Sequence, residues 1–197
     1  MSHPSVKDEA YGAAKPLPGL SWLREPVNAL THALGALLGV AGLVVLLVLA
    51  DGQPMRIVSA AIYGASLIVL FTASTLLHAV HAGLRTLQRL RVFDHAAIFI
   101  LIAGSYTPVT LVTLQEVQPA LGWSLFGVVW GLAILGVVFK VVWIGAPRWI
   151  SVALYLLLGW LAVIALRPLA VALPAAGLTW LVLGGVAYSV GAIIYGL

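Results

Sequence analysis

Three short stretches of this chain gather side chains that could do chemistry. Glu25, Asn28 and His32 stand at offsets of three and seven, so on a helix they share one face over two turns. Ser74, His78 and His81 follow at i, i+4 and i+7, again one face. Asp94 and His95 are adjacent, and Ser105 lies on the Asp94 face eleven residues on. Imidazole and carboxylate together suit a borderline metal such as zinc. Plainer accounts stand beside that one. Glu25 would cap a helix N-terminus, His81 and His95 would reach to an interface, His78 would be a neutral hydrogen-bonded histidine, and Asp94 would pair with Arg91.

The elements that must position these residues follow from composition. Of the 197 residues 62% are apolar and 8% charged, with no cysteine and a mean hydropathy of +1.12. Soluble domains carry about 25% charged residues, so a soluble enzyme is excluded. A charge at the bilayer centre costs roughly 2.5–3.5 kcal/mol, so the charged residues act as punctuation. The uncharged intervals are 26–50, 57–84, 95–115, 117–139, 149–166 and 168–197. Each suits the roughly 20 residues that a helix needs to cross about 30 Å of hydrocarbon. Runs such as LVVLLVLA do not alternate in polarity, which excludes a transmembrane barrel. The expected fold is all-α, a polytopic transmembrane bundle of six helices over residues 25–197. Residues 1–24, polar and rich in Pro and Gly, read as a mobile cytoplasmic tail without a signal peptide.

Charge placement sets the expected topology. Lys7, Lys15, Arg24, Arg85, Arg89, Arg91, Lys140 and Arg148 fall on one side, and only Arg56 and Arg167 on the other. By the positive-inside rule the N-terminus is cytoplasmic. The net charge of +4 is therefore topology, and no nucleic-acid partner is expected. The first and third helices start, and the second finishes, on that same side, so the polar stretches converge near the inner leaflet. Ionisable residues there are candidates for a functional site by default. The segment 84–91 is expected as a headgroup-plane helix or a basic loop, and Gly35/Gly39 and Gly127/Gly131 as sites of close helix packing.

The strings EPVNALTHALG (25–35), STLLH (74–78) and RVFDHAAIFILIAGSYTPVTL (91–111), with GVVWGLAILGVVFKVVWIGAPRWIS after them, resemble the hemolysin III family. That family is the bacterial branch of the progestin and adiponectin receptor superfamily and is related to alkaline ceramidases. The resemblance implies a seven-helix bundle in the bacterial inner membrane with a zinc ion near the inner leaflet. His78 would bind the zinc, Asp94 would contact it directly or through water, and Ser74 would polarise a substrate. Glu25, Asn28, His32 and His95 would form the surrounding polar cluster. The pattern's other two ligands belong to an H-x-x-x-H on a seventh helix. This sequence has six predicted helices and no histidine after His95, so the zinc site is expected to be incomplete in a truncated chain, with a second copy as one way to fill the gap. The implied activity is zinc-dependent hydrolysis of a lipid amide entering sideways from the membrane. Bound water would be acidified to a pKa of about 7, Asp94 would orient or deprotonate it, and Ser74 would help hold the oxyanion. A non-catalytic membrane sensor is the alternative. Cytolysis by a pore, which the family name asserts, lacks a polar-faced helix to line a channel.

Overall fold

The computed structural model describes residues 19–196, with side chains described through Ile194. Most of the stretch expected as a mobile tail, residues 1–18, lies outside the described residues, as does Leu197. Six membrane-length helices follow the uncharged intervals, and no strand occurs among the described residues. They are α1 (Pro26–Leu49), α2 (Pro54–Ala79) and α3 (Leu84–Pro108), the last extended by a π-helical turn, Val109–Thr113, and by α4 (Leu114–Val117). Then come α5 (Pro119–Val142), α6 (Arg148–Trp160), a 3-10 segment (Leu161–Ala165), α7 (Leu166–Ala172) and α8 (Ala175–Gly196). Proline opens α1, α2 and α5, where its missing N–H costs nothing. The α1–α2 turn is tight because Asp51 (φ 47°) and Gly52 (φ 68°) both take left-handed conformations.

Two boundaries differ from the sequence reading. The basic segment 84–91 is neither a loop nor a separate surface helix but the first two turns of α3. Asp94 therefore does not open its helix; it lies ten residues in, about 15 Å along the axis. The span 84–117 is 34 residues, about 51 Å, so its arginine-bearing start extends past a 30 Å hydrocarbon layer. The fifth span breaks in mid-course at the 3-10 segment before Pro168. Tyr106 of α3 bridges that break: its hydroxyl donates to the Gly159 carbonyl (2.5 Å) and accepts from the Ala162 N–H (2.7 Å). Backbone groups left open inside a membrane need such partners.

Helix α3 is central. Its Phe99, Ile102 and Tyr106 pack with Leu125 and Val129 of α5 and Tyr155 and Leu158 of α6. Glycine permits close approach at Gly35 of α1, where an added Cβ would lie 2.6 Å from the Phe71 ring of α2. The expected packing at Gly127 and Gly131 is not found, since a Cβ at either meets nothing within 4 Å. On α5 the close approaches fall instead at Gly122 and at Gly136, which faces the Phe99 ring. The helix is rotated so that this second glycine pair, rather than Gly127 and Gly131, meets its neighbours.

Candidate functional site

The last carbonyls of a helix have no partner within it, and the way α2 resolves this builds the site. Leu77 O accepts from the Arg24 guanidinium (2.6 Å), His78 O from the Glu25 N–H (2.9 Å), and Ala79 O from the Arg24 N–H (3.2 Å). The residues just ahead of α1 thus cap the end of α2. Pro26 then turns the chain into α1, which fixes Glu25 beside His78.

The Glu25 carboxylate is fully engaged. Oε1 accepts from Arg24 Nη2 at 2.9 Å, and Oε2 accepts from Asn28 Nδ2 at 3.0 Å and lies 2.6 Å from His78 Nδ1. A carboxylate only accepts, so Nδ1 is assigned the proton shared by the pair. Across from this pair the His32 ring stacks on His78, 5.6 Å between centroids at an interplanar angle of 11°. The His32 ring also meets the Phe71 ring, 5.9 Å between centroids. Asp94 on α3 lies within electrostatic reach of His32. Ser74 is buried one turn before His78.

The remaining sequence candidates point elsewhere. His95 is buried, with Nδ1 bonded to the Arg91 carbonyl at 2.7 Å and 3.9 Å from Asp94 Oδ2, and its own carbonyl accepts from the Tyr155 hydroxyl. His81 is exposed in the link between α2 and α3, and Ser105 bonds back to Ile102 O within α3. Two residues escaped the sequence reading. Arg24 passed for a topological charge, although the adjacency Arg24-Glu25-Pro26 at a helix start was the available signal. Lys140 was likewise read as a topological charge, between the fourth and fifth helices. It sits instead in the last turn of α5, 2% exposed, with Nζ 2.5 Å from Ser151 Oγ of α6.

Chemically, an imidazole whose Nδ1–H is held by a carboxylate is the arrangement that orients histidine for a metal through Nε2. A catalytic zinc normally takes three protein ligands. Among the described residues no three His, Cys, Asp or Glu side chains form such a group. The residues present therefore fit one poised ligand, His78, and not a complete site.

The whole of this framework has relatives. Residues 20–197 match the family described as Haemolysin-III related. The chain is 43% identical over 173 residues to the "Hemolysin-3 homolog" of Bacillus subtilis (strain 168), covering 87% of this chain and 79% of that protein. It is 39% identical over 173 residues to "Hemolysin-3" of Bacillus cereus, covering 87% and 77%. With six apolar spans, a polar cluster where α1 meets α2, and a match that starts just ahead of that cluster and runs through every span, this multi-pass membrane protein belongs to the haemolysin-III-related family.

Proposed function

We propose that this protein is a membrane-embedded zinc-binding protein that acts on a lipid amide at the leaflet holding the Glu25–His78 cluster, and that this leaflet faces the bacterial cytoplasm. One observation carries the reading: the 2.6 Å contact between Glu25 Oε2 and His78 Nδ1. A histidine needed only for packing requires no carboxylate, and a carboxylate inside a membrane bundle is costly unless it has work. Here Glu25 accepts from the Nδ1 proton and fixes the orientation of the ring. Asp94, within electrostatic reach of His32, would accept a proton from the attacking water, and the Ser74 hydroxyl would supply a hydrogen bond to the lipid carbonyl. The family pattern's further ligands, an H-x-x-x-H, have no counterpart in these 197 residues. The proposal requires them from outside the cluster.

A second reading, a non-catalytic sensor, is favoured by a different observation. The Glu25 carboxylate is saturated by Arg24, Asn28 and His78 and already ties α1 to α2. Elemental analysis of purified protein, beside His78→Ala, together with hydrolysis of an N-acyl sphingoid lipid with and without chelator, separates the two. Zinc near one per chain, lost in His78→Ala, with chelator-sensitive product, supports the hydrolase. Zinc without product supports the sensor. Absence of zinc from the wild-type protein overturns both.

A further inference from the structure

At the opposite end of the bundle, α1, α2 and the end of α3 line an open recess of about 320 Å3. That is the lower end of the range for ligand pockets. Its walls are Leu46 and Leu49 of α1, Ala60 and Tyr63 of α2, and Pro108 and Thr113 at the π-helical turn. Such turns often accompany binding sites because the wider ring breaks the regular backbone ladder.

Two features give this apolar recess a polar demand. Arg56 stands at its edge, in the first turn of α2. There the helix dipole already presents positive charge, and a cation is unfavourable. That turn holds no acidic residue, its N-cap Gln53 makes no side-chain capping bond, and no carboxylate lies within ion-pair distance of Arg56 among the described residues. The exposed Asp51 of the preceding turn does not neutralise it. One turn deeper, Ser59 lines the recess, 1% exposed, with a buried hydroxyl that has no hydrogen-bond partner. A buried hydroxyl without a partner costs about 1–3 kcal/mol, so an unsatisfied polar group lies just behind the apolar lining. From Arg56 to Tyr63 is seven residues, about 10 Å along the helix. The recess thus has an arginine without an ion-pair partner at its membrane-surface edge, with exposed Asp51 and Glu116 further off, and apolar walls below, the profile of a lipid with a negative head and a chain.

We propose that this recess binds an acidic phospholipid of the leaflet opposite the Glu25–His78 cluster, with its phosphate on Arg56 and the free N–H groups of the first turn of α2. An acyl chain lies along Leu46, Leu49 and Ala60. Arg56 selects charge, and the recess selects a chain.

The test is thermal unfolding of the detergent-purified full chain with added phosphatidylglycerol or phosphatidylcholine of identical acyl chains. At tenfold excess over Kd, phosphatidylglycerol raises the midpoint by roughly 3–6 °C and phosphatidylcholine by clearly less. Arg56→Gln removes that difference. So does Ala60→Leu, which fills the recess, and so does Leu49→Trp, which blocks it from an exposed position that folding tolerates. Arg89→Gln, at the other end of the bundle, preserves it. Equal shifts with the two lipids overturn the proposal. So does a difference that survives Arg56→Gln or vanishes in Arg89→Gln, or stabilisation by free palmitate with none by phosphatidylglycerol.

Discussion

Replacing Glu25 with glutamine changes one oxygen for an amide nitrogen and leaves the shape intact. In the native cluster Oε1 accepts from Arg24 at 2.9 Å, while Oε2 accepts from Asn28 at 3.0 Å and meets His78 Nδ1 at 2.6 Å. An amide has one acceptor, so whichever way it turns its nitrogen faces a donor. Keeping the oxygen toward His78 and Asn28 sacrifices Arg24; the reverse sacrifices two bonds. The less costly choice loses one charge-assisted hydrogen bond, worth about 1.5–3 kcal/mol in soluble proteins. Side-chain exposures of 11% for Arg24 and 15% for Glu25 leave moderate screening. Interhelical polar pairs in membranes average lower, about 0.6 kcal/mol with a maximum near 1.7. The expected destabilisation of Glu25→Gln is therefore about 1–2 kcal/mol, measured by unfolding in mixed micelles titrated with SDS. His78 also loses the negative charge behind its Nδ1 proton, and on the proposed zinc-binding reading zinc affinity would fall about 10–100-fold, read by competition with a fluorescent chelator. A double cycle of Glu25→Ala with His78→Ala isolates the pair, because each of these truncations removes the Glu25–His78 contact. Stability unchanged within about 0.3 kcal/mol, with a coupling energy near zero, would refute the claim that this carboxylate organises His78.

Other consequences can be checked with the same preparations. Tyr106→Phe strips the partner from the Gly159 carbonyl and the Ala162 N–H, and SDS unfolding should show a loss of about 1–2 kcal/mol. Gly136→Ala drives a methyl into the buried Phe99 ring and costs about 1–3 kcal/mol, whereas Gly131→Ala enters open space and is neutral or stabilising by up to about 1 kcal/mol. Ser151→Ala leaves buried Lys140 without its hydroxyl partner and destabilises by about 1–3 kcal/mol, while Lys140→Met in the same background recovers most of that loss. Liposomes reconstituted with the protein retain entrapped dye, because the membrane faces of α1, α5 and α8 are apolar; release at low protein density would restore a pore.

Much of the fold was legible because the bilayer is a severe solvent. An unpaired charge within it is so costly that the spacing of charged residues alone marks six spans, and those spans are the ones observed. Helix ends were less legible. Arg85, Arg89 and Arg91 read as a link, yet α3 runs through them, since a helix longer than the hydrocarbon layer extends its charged turns beyond it. The break at Leu161–Ala165 was hidden too, because the hydroxyl that stabilises it belongs to Tyr106, 56 residues from Ala162 in sequence.

The candidate site divides the same way. Sequence by itself determined that Glu25, Asn28 and His32 share a face, that Ser74 and His78 share another, and that both stretches end at the same side of the membrane. Helical periodicity and the cost of buried charge require this whatever the neighbours are. Only the tertiary structure decided which groups meet. Periodicity fixes directions within a helix, but the rotation of one helix against the next depends on packing between them. Gly35 receives the Phe71 ring, Arg24 and Glu25 close the end of α2, and those contacts turn Glu25 onto His78 and His32 against its ring. The same freedom of rotation left Gly127 and Gly131 without a packing partner and drew Lys140 under Ser151. No spacing along one strand of sequence records those angles, because they are set by side chains on the facing helix.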